Sequence, residues 1–237
     1  MVDKNQIQDK INKSASFYNK YLKLDYQLAE FGFEKIEPFI QGSLGLEIGP
    51  SNGYMTKSLV KKFKTLHLVE GSEYLLKQIP DYPNVVKFHS MLEDYESEVP
   101  YDTIIMSHVL EHTAHPEIVL KKIYGLLKPD GVFIVSVPNA KSIHRLVAVQ
   151  MGLLSNEYEL NQRDHELGHY RVYDLKILRS QLSHAGFKVE TSGGYFLKPL
   201  SNGQIEEYWS QEMIQGFNKV GEQFQEFCAE IFAVCKR

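Results

Sequence analysis

Along the middle of the chain, short apolar runs rich in β-branched residues alternate with longer segments whose apolar positions recur at helical spacing. That alternation marks a parallel sheet with helical crossovers. Leu44–Ile48 reads as the first strand, Leu66–Glu70 as the second, Val85–His89 as the third and Asp102–Ser107 as the fourth. Gly131–Val137 reads as the fifth, Lys188–Thr191 opens a sixth, and Glu226–Cys235 is the last. Helices are expected over Tyr54–Phe63, Ser72–Ile79 and Pro116–Leu127, the last with proline in its first turn. Asp174 suits the N-cap of a further helix that ends at Ala185 before Gly186, and residues 204–223 read as one long helix. Residues 139–173 break the regularity, with Gly152 and Gly168 as punctuation. Tyr18, Tyr21, Leu22, Leu28 and Phe31 recur at roughly helical spacing, which predicts helix outside the sheet near the start of the chain.

The length of 237 residues suits one α/β domain of seven strands with helices on both faces. A helical cap is expected over 1–40 and the sheet domain over 41–237, with lid insertions at about 139–173 and 196–225. The net charge of −4 argues against affinity built on phosphate contacts, and hence against nucleic acid. The densest basic run, Lys61, Lys62 and Lys64, ends a predicted helix, where cations complement the helix dipole. Cys228 and Cys235 fit neither a disulfide framework nor a zinc motif, so buried thiols in a reducing compartment are expected. With no apolar leader and no run near the ~20 apolar residues that span a bilayer, a cytoplasmic protein without membrane contact is expected.

The segment Leu44-Gly-Leu-Glu-Ile-Gly-Pro-Ser-Asn-Gly53 combines a strand, a glycine turn and a helix start. Glycines at the carboxyl end of a strand let the backbone approach a ligand without Cβ interference. Glu70 closes the next strand, seventeen positions after Gly53, where a carboxylate can accept hydrogen bonds from both hydroxyls of a ribose. A dinucleotide fingerprint would read G-x-G-x-x-G. Here three residues separate Gly49 from Gly53, and Glu47 stands two positions before the first glycine. A carboxylate at that point opposes a pyrophosphate and suits an ammonium. A nucleoside with a zwitterionic tail fits this motif better than one with phosphates.

Glu47-x-Gly49-x-x-x-Gly53, Glu70, Asp102-Thr-Ile-Ile, Val109-Leu-Glu-His112, Leu127-Lys-Pro-Asp-Gly131 and Val137-Pro-Asn139 occur in an order that resembles the class I, Rossmann-like, S-adenosylmethionine-dependent methyltransferases. Within that class the chain is similar to the group that includes ubiquinone and menaquinone biosynthesis enzymes and many sugar and natural-product methyltransferases. The likeness covers roughly residues 40–195, and the last strand resembles the family's antiparallel seventh strand in an otherwise mostly parallel sheet. It implies S-adenosyl-L-methionine as cofactor, with S-adenosyl-L-homocysteine as product. Glu47, Gly49, Ser51 and Gly53 would then line the methionine portion, Glu70 the ribose, and Gly71 and Ser72 the adenosine. Ser90, Met91 and Leu92 would flank the adenine, with Ser107 and His108 near the methyl group. Many relatives carry Asp where Ser90 stands and Gly where Ser51 stands.

On the acceptor side, Tyr18, His112, His165, His169, Tyr170 and Arg171 are the candidate substrate contacts, and His108, His165 and His169 the candidate general bases. Packing or helix-start roles stand beside these readings for Tyr18 and His112. His165-Glu166-Leu167-Gly168-His169 spells a zinc-protease motif, which needs both histidines on one helix face. A glycine inside it and a polar, irregular context argue against that chemistry, and no metal is expected. The reaction expected is methyl transfer to an oxygen or nitrogen of a small polar metabolite, sugar-like or natural-product-like. The rival readings are an NAD-dependent oxidoreductase, a metallopeptidase and a methyltransferase-fold binding protein without turnover, and within the main reading a protein or RNA acceptor.

Overall fold

Seven strands form one sheet: β1 (Leu44–Ile48), β2 (Thr65–Glu70), β3 (Val85–His89), β4 (Tyr101–Ser107), β5 (Leu127–Pro138), β6 (Lys188–Tyr195) and β7 (Glu230–Lys236). Their order is β3-β2-β1-β4-β5-β7-β6. The computed structural model describes residues 22–237, so Tyr18 and Tyr21 lie outside the described residues. β1 to β5 pair in parallel, while β7 inserts antiparallel between β5 and β6. The chain leaves β1 for β2 on one side and returns as β4 on the other. Their carboxyl ends therefore flank a crevice at the point where strand order reverses.

The apolar pattern explains why the sheet sits centrally. In β4, Ile104 and Met106 join the core on one face and Ile105 joins the core on the other, the two-residue period of a strand buried on both sides. The first core takes in α4 (Pro116–Leu126) and α7 (Leu175–His184) through Val119, Leu120, Ile123, Leu178 and Leu182. The second is closed by α1 (Leu22–Ile36) through Leu24, Leu28 and Phe31. Among the described residues no helix is long and apolar enough to cross a membrane.

Several elements are shorter or more divided than their sequence pattern suggests. The helix expected over Tyr54–Phe63 is the single turn α2 (Thr56–Leu59); after it the Asn84 amide donates to the carbonyls of Val60 and Phe63 and draws the chain out of the helix. The next helix, α3 (Glu73–Leu76), is capped by the Ser72 hydroxyl. Pro80 disfavours helical backbone at Ile79, and Lys87 takes the Ile79 carbonyl. The irregular stretch 139–173 holds two helices, α5 (Ile143–Gln150) and α6 (Gln162–Leu167), the second started by a capping box between Asn161 and Asp164. The long helix expected over 204–223 divides into α8 (Asn202–Tyr208) and α9 (Gln211–Gly221), since Ser210 caps a new helix by accepting from Met213 N–H. β7 starts at Glu230 rather than Glu226, and β5 starts at Leu127 rather than Gly131.

One side chain fixes the late start of β7. Asn139 is buried at the end of β5, and its amide nitrogen donates to the carbonyls of Glu226 at 2.9 Å and Cys228 at 2.8 Å. Its side-chain oxygen accepts from Lys141 N–H. Asn139→Ala leaves these groups without partners and should cost about 2–4 kcal/mol. Urea denaturation reads this as a lower midpoint at unchanged slope; an unchanged midpoint would show that the tie is dispensable.

Candidate functional site

The crevice is built first from backbone. Gly49 N–H donates to the Val69 carbonyl at 2.8 Å and the residue sits at φ +63°. A Cβ there would fall 2.4 Å from Val109 Cγ2, so only glycine lets the β1 turn lie against the segment after β4. Ser51 also adopts a left-handed backbone, φ +52°, a conformation that favours glycine. Its hydroxyl is buried and has no hydrogen-bond partner.

Glu70, at the end of β2, locks this turn. One of its carboxylate oxygens accepts from Ser72 N–H at 2.8 Å and the other from Ser51 N–H at 3.1 Å. These bonds take two of its four lone-pair sites, and the Gly71 N–H faces the same carboxylate. Burial raises the Glu70 pKa, opposed by the backbone donors of Ser72, Ser51 and Gly71. Glu47 is 4% exposed and accepts from the Thr56 hydroxyl at 2.6 Å. Burial pushes its carboxyl up to about 7, with the Thr56 hydrogen bond opposing and the Glu70 charge adding. Neither carboxylate forms a salt bridge to a cationic side chain among the described residues. Ser90 N–H donates to the Glu70 carbonyl at 3.1 Å, placing Ser90, Met91 and the buried Leu92 beside the same strand end. The Ser90 hydroxyl is turned onto the Met91 carbonyl. Ser107 lies half-buried at the end of β4, its hydroxyl 3.6 Å from Met55 Sδ.

A second polar group surrounds His108, which follows β4 at φ +56°. Its Nδ1 lies 3.6 Å from a Glu111 oxygen and its Nε2 lies 3.7 Å from a Glu230 oxygen. Burial lowers the imidazole pKa, but Glu230, Glu111 and Asp25 outweigh it and push the ring up to about 9. His108 therefore carries a proton at neutral pH in the ligand-free protein. Burial lowers the Lys198 pKa and raises those of Glu230 and Tyr195. His144 is pushed down to about 2 by burial, with Lys198 and Arg145 adding. Asp25, His144, Tyr195, Lys198 and Glu230 escaped the sequence reading. Only Glu230 carried a usable signal, a carboxylate at the head of the otherwise apolar run Ile231–Cys235.

The lid sorts the remaining candidates. Gly168, at φ +83°, ends α6 in the left-handed conformation, so His169 leaves the helix that carries His165. His165 and Glu166 are exposed, and the two histidines do not share a helix face as a zinc-protease motif requires. Arg171 is committed elsewhere: its guanidinium donates to the carbonyls of Thr113 at 2.6 Å and Ala114 at 3.2 Å. Tyr170 is exposed, and its N–H donates to the Glu111 carbonyl. His169 is buried, with Nδ1 3.0 Å from an Asp164 oxygen and its ring edge-on to His112 at 4.6 Å. Arg145 donates to the other Asp164 oxygen at 2.9 Å and to the Glu157 and Glu159 carbonyls.

A methyltransferase-domain family matches residues 18–192. The chain is 25% identical over 199 residues to a carboxy-S-adenosyl-L-methionine synthase of Nautilia profundicola, covering 76% of this chain and 82% of that protein. It is 26% identical over 169 residues to a malonyl-[acyl-carrier protein] O-methyltransferase of Priestia megaterium, covering 66% of this chain and 62% of that enzyme. Among solved structures, a possible histamine N-methyltransferase from Thermotoga maritima superposes with a TM-score of 0.67 at 17% identity, covering 96% of this chain and 99% of that one.

The segment 139–173 is tied together by the Arg145–Asp164 pair, both of whose members are buried. Asp164→Ala leaves the guanidinium without its carboxylate and should destabilise the protein by about 3–5 kcal/mol. Thermal unfolding reads this as a lower midpoint; a wild-type midpoint would mean that the pair carries no net stability.

Proposed function

The chain belongs to the class I S-adenosylmethionine-dependent methyltransferases, and on that premise we propose that it moves a methyl group to an oxygen or nitrogen of a small polar metabolite, sugar-like or natural-product-like. The observation that carries the cofactor side is a donor set with the right charge. Glu47 and Glu70 are buried without a salt-bridge partner beside a turn whose Ser51 hydroxyl is unpartnered. A cationic nucleoside supplies what this set lacks. When bound, S-adenosylmethionine provides a methyl group on a sulfonium, already activated toward a nucleophile.

The chain's own residues bind, orient and exclude water. Glu70 would take the ribose hydroxyls with the lone pairs that Ser51 and Ser72 leave open. Glu47 would face the aminoacyl ammonium, directly or through water, while Ser90, Met91 and Leu92 flank the adenine. Ser107 and His108 close β4 at the edge where the acceptor approaches. A protonated His108 would serve as a hydrogen-bond donor to an acceptor oxygen, held in place by Glu111 and Glu230. His169 is the second proton-handling candidate. The ionised Asp164 can only accept a hydrogen bond, so His169 Nδ1 carries a proton and, in the neutral ring, Nε2 keeps its lone pair. His165 and Arg171 fall outside this reading, the first exposed on α6 and the second spent on backbone carbonyls.

Three outcomes test the proposal. Incubation with S-adenosylmethionine and a panel of hydroxylated and amine metabolites should yield a product heavier by one methyl group in mass spectrometry; no product across both classes would count against it. Glu70→Ala should weaken S-adenosylhomocysteine binding by at least about tenfold, the loss of one charge-assisted hydrogen bond of about 1.5–3 kcal/mol. Unchanged calorimetry would sink the ribose assignment. The third outcome follows from the Glu47 carboxyl at about 7. A ligand ammonium favours the ionised form, so binding lowers that pKa and releases a proton. Affinity for S-adenosylhomocysteine should therefore fall as pH drops below 7, by up to tenfold per unit. In Glu47→Gln this slope should vanish, and a slope that persists would remove Glu47 from the ammonium site.

A further inference from the structure

The sequence reading expects no metal, yet the fold gathers a ligand set from two segments far apart in the chain. A short 3-10 turn, Leu110–His112, sets Glu111 beside His112, and the strap leaving α6 delivers His169. One donor atom from each of Glu111, His112 and His169 lies within 4.8 Å of the other two. The two segments are bolted together by Tyr170 N–H on the Glu111 carbonyl and by Arg171 on the carbonyls of Thr113 and Ala114.

Each donor is prepared for an ion. Glu111 is fully buried, and neither of its carboxylate oxygens has a hydrogen-bond partner. A buried carboxylate in that state needs a cation close by; the His108 ring 3.6 Å away is one, beyond hydrogen-bond reach, and an ion bound to Glu111 would take its place. His169 is oriented through Nδ1 by Asp164, which is in turn held by Arg145 and the Asn161 N–H. A carboxylate behind a histidine in this way fixes the tautomer and aims Nε2, as outer partners do for metal-ligating histidines. His112 is half-buried and edge-on to His169, so the cluster opens toward solvent on its side.

We propose that Glu111, His112 and His169 bind one divalent transition-metal ion of the zinc, manganese, iron or cobalt class, with coordination positions left open beside His108. Two imidazoles exclude magnesium and calcium as the preferred ions, since those select all-oxygen sets. Three protein ligands leave room for a water or another oxygen, the stoichiometry of an open site rather than a closed structural one. Resting on the methyl-transfer reading, an oxygen of the acceptor is the natural occupant of the open position. The His165-Glu166 half of the zinc-protease string contributes nothing to this set, because both residues are exposed on α6.

The test uses the full chain, stripped with a chelator and titrated with zinc and separately with manganese in a calorimeter, with metal content counted by elemental analysis after dialysis. One ion per chain is expected, and cobalt substitution should give visible d–d absorption. Saturable binding should be lost in His112→Ala and in Glu111→Gln and kept in His165→Ala. S-adenosylhomocysteine binding, measured on the same samples, shows that each variant is folded and reads the cofactor site separately. Absence of stoichiometric metal from wild-type protein that still binds S-adenosylhomocysteine would overturn the metal site and leave the methyltransferase reading standing. Metal binding that survives His112→Ala, or that disappears in His165→Ala, would likewise overturn it.

Discussion

The structure of the crevice depends on two hydrogen bonds to one carboxylate. Glu70 reaches from the end of β2 to Ser51 N–H in the turn after β1 and to Ser72 N–H at the start of α3. Three consecutive pieces of chain thereby meet at one side chain. Without that meeting, the left-handed backbone at Ser51 would lose its partner on the β2 side, leaving only the bond from Gly49 N–H to the Val69 carbonyl. The close approach of Gly49 to Val109 adds the β4 side of the same crevice. The crevice is thus held by backbone donors on one carboxylate and by the absence of one Cβ.

Charge is the second theme. Glu47, Glu70, Glu111 and Glu230 are all buried, an expensive arrangement unless something positive is near. For Glu230 the positive groups are His108 and Lys198; for Glu111 the nearest is His108. Glu47 and Glu70 have no salt-bridge partner from the described chain, which matches a cofactor whose sulfonium and ammonium are both cationic. Burial of the whole group also keeps water from competing for the reacting atoms. In the ligand-free protein, burial holds the Glu47 and Glu70 carboxyls above their ordinary pKa, and a bound cation would relieve that cost.

The sequence made the frame legible because strands and caps are local events. The apolar runs located all seven strands, the glycine turn located the end of β1, and Asp174 located the start of α7. Helix length was less legible, since it was decided by distant groups. Asn84 ends α2 by capturing carbonyls of Val60 and Phe63, and the Ser210 hydroxyl starts a new helix where a single one was expected. The lid read as irregular because its helices are anchored by Arg145 and Asp164, polar residues whose pairing no hydrophobic period announces.

What the sequence alone determined is the unit proposed to hold the cofactor, because Glu47, Gly49, Ser51 and Gly53 lie within one strand-turn unit and Glu70 ends the next strand. Short-range geometry turns that spacing into a site. The proposed acceptor side was assembled only by tertiary structure. Asp25, the His108–Glu111 segment, Lys198 and Glu230 come from four separate parts of the chain, and His169 meets His112 only because Gly168 turns the backbone out of α6. The same five letters that suggested one helical metal motif were divided by that glycine. The fold discarded His165 and kept His169, pairing it with residues fifty-odd positions earlier that sequence spacing could not have selected.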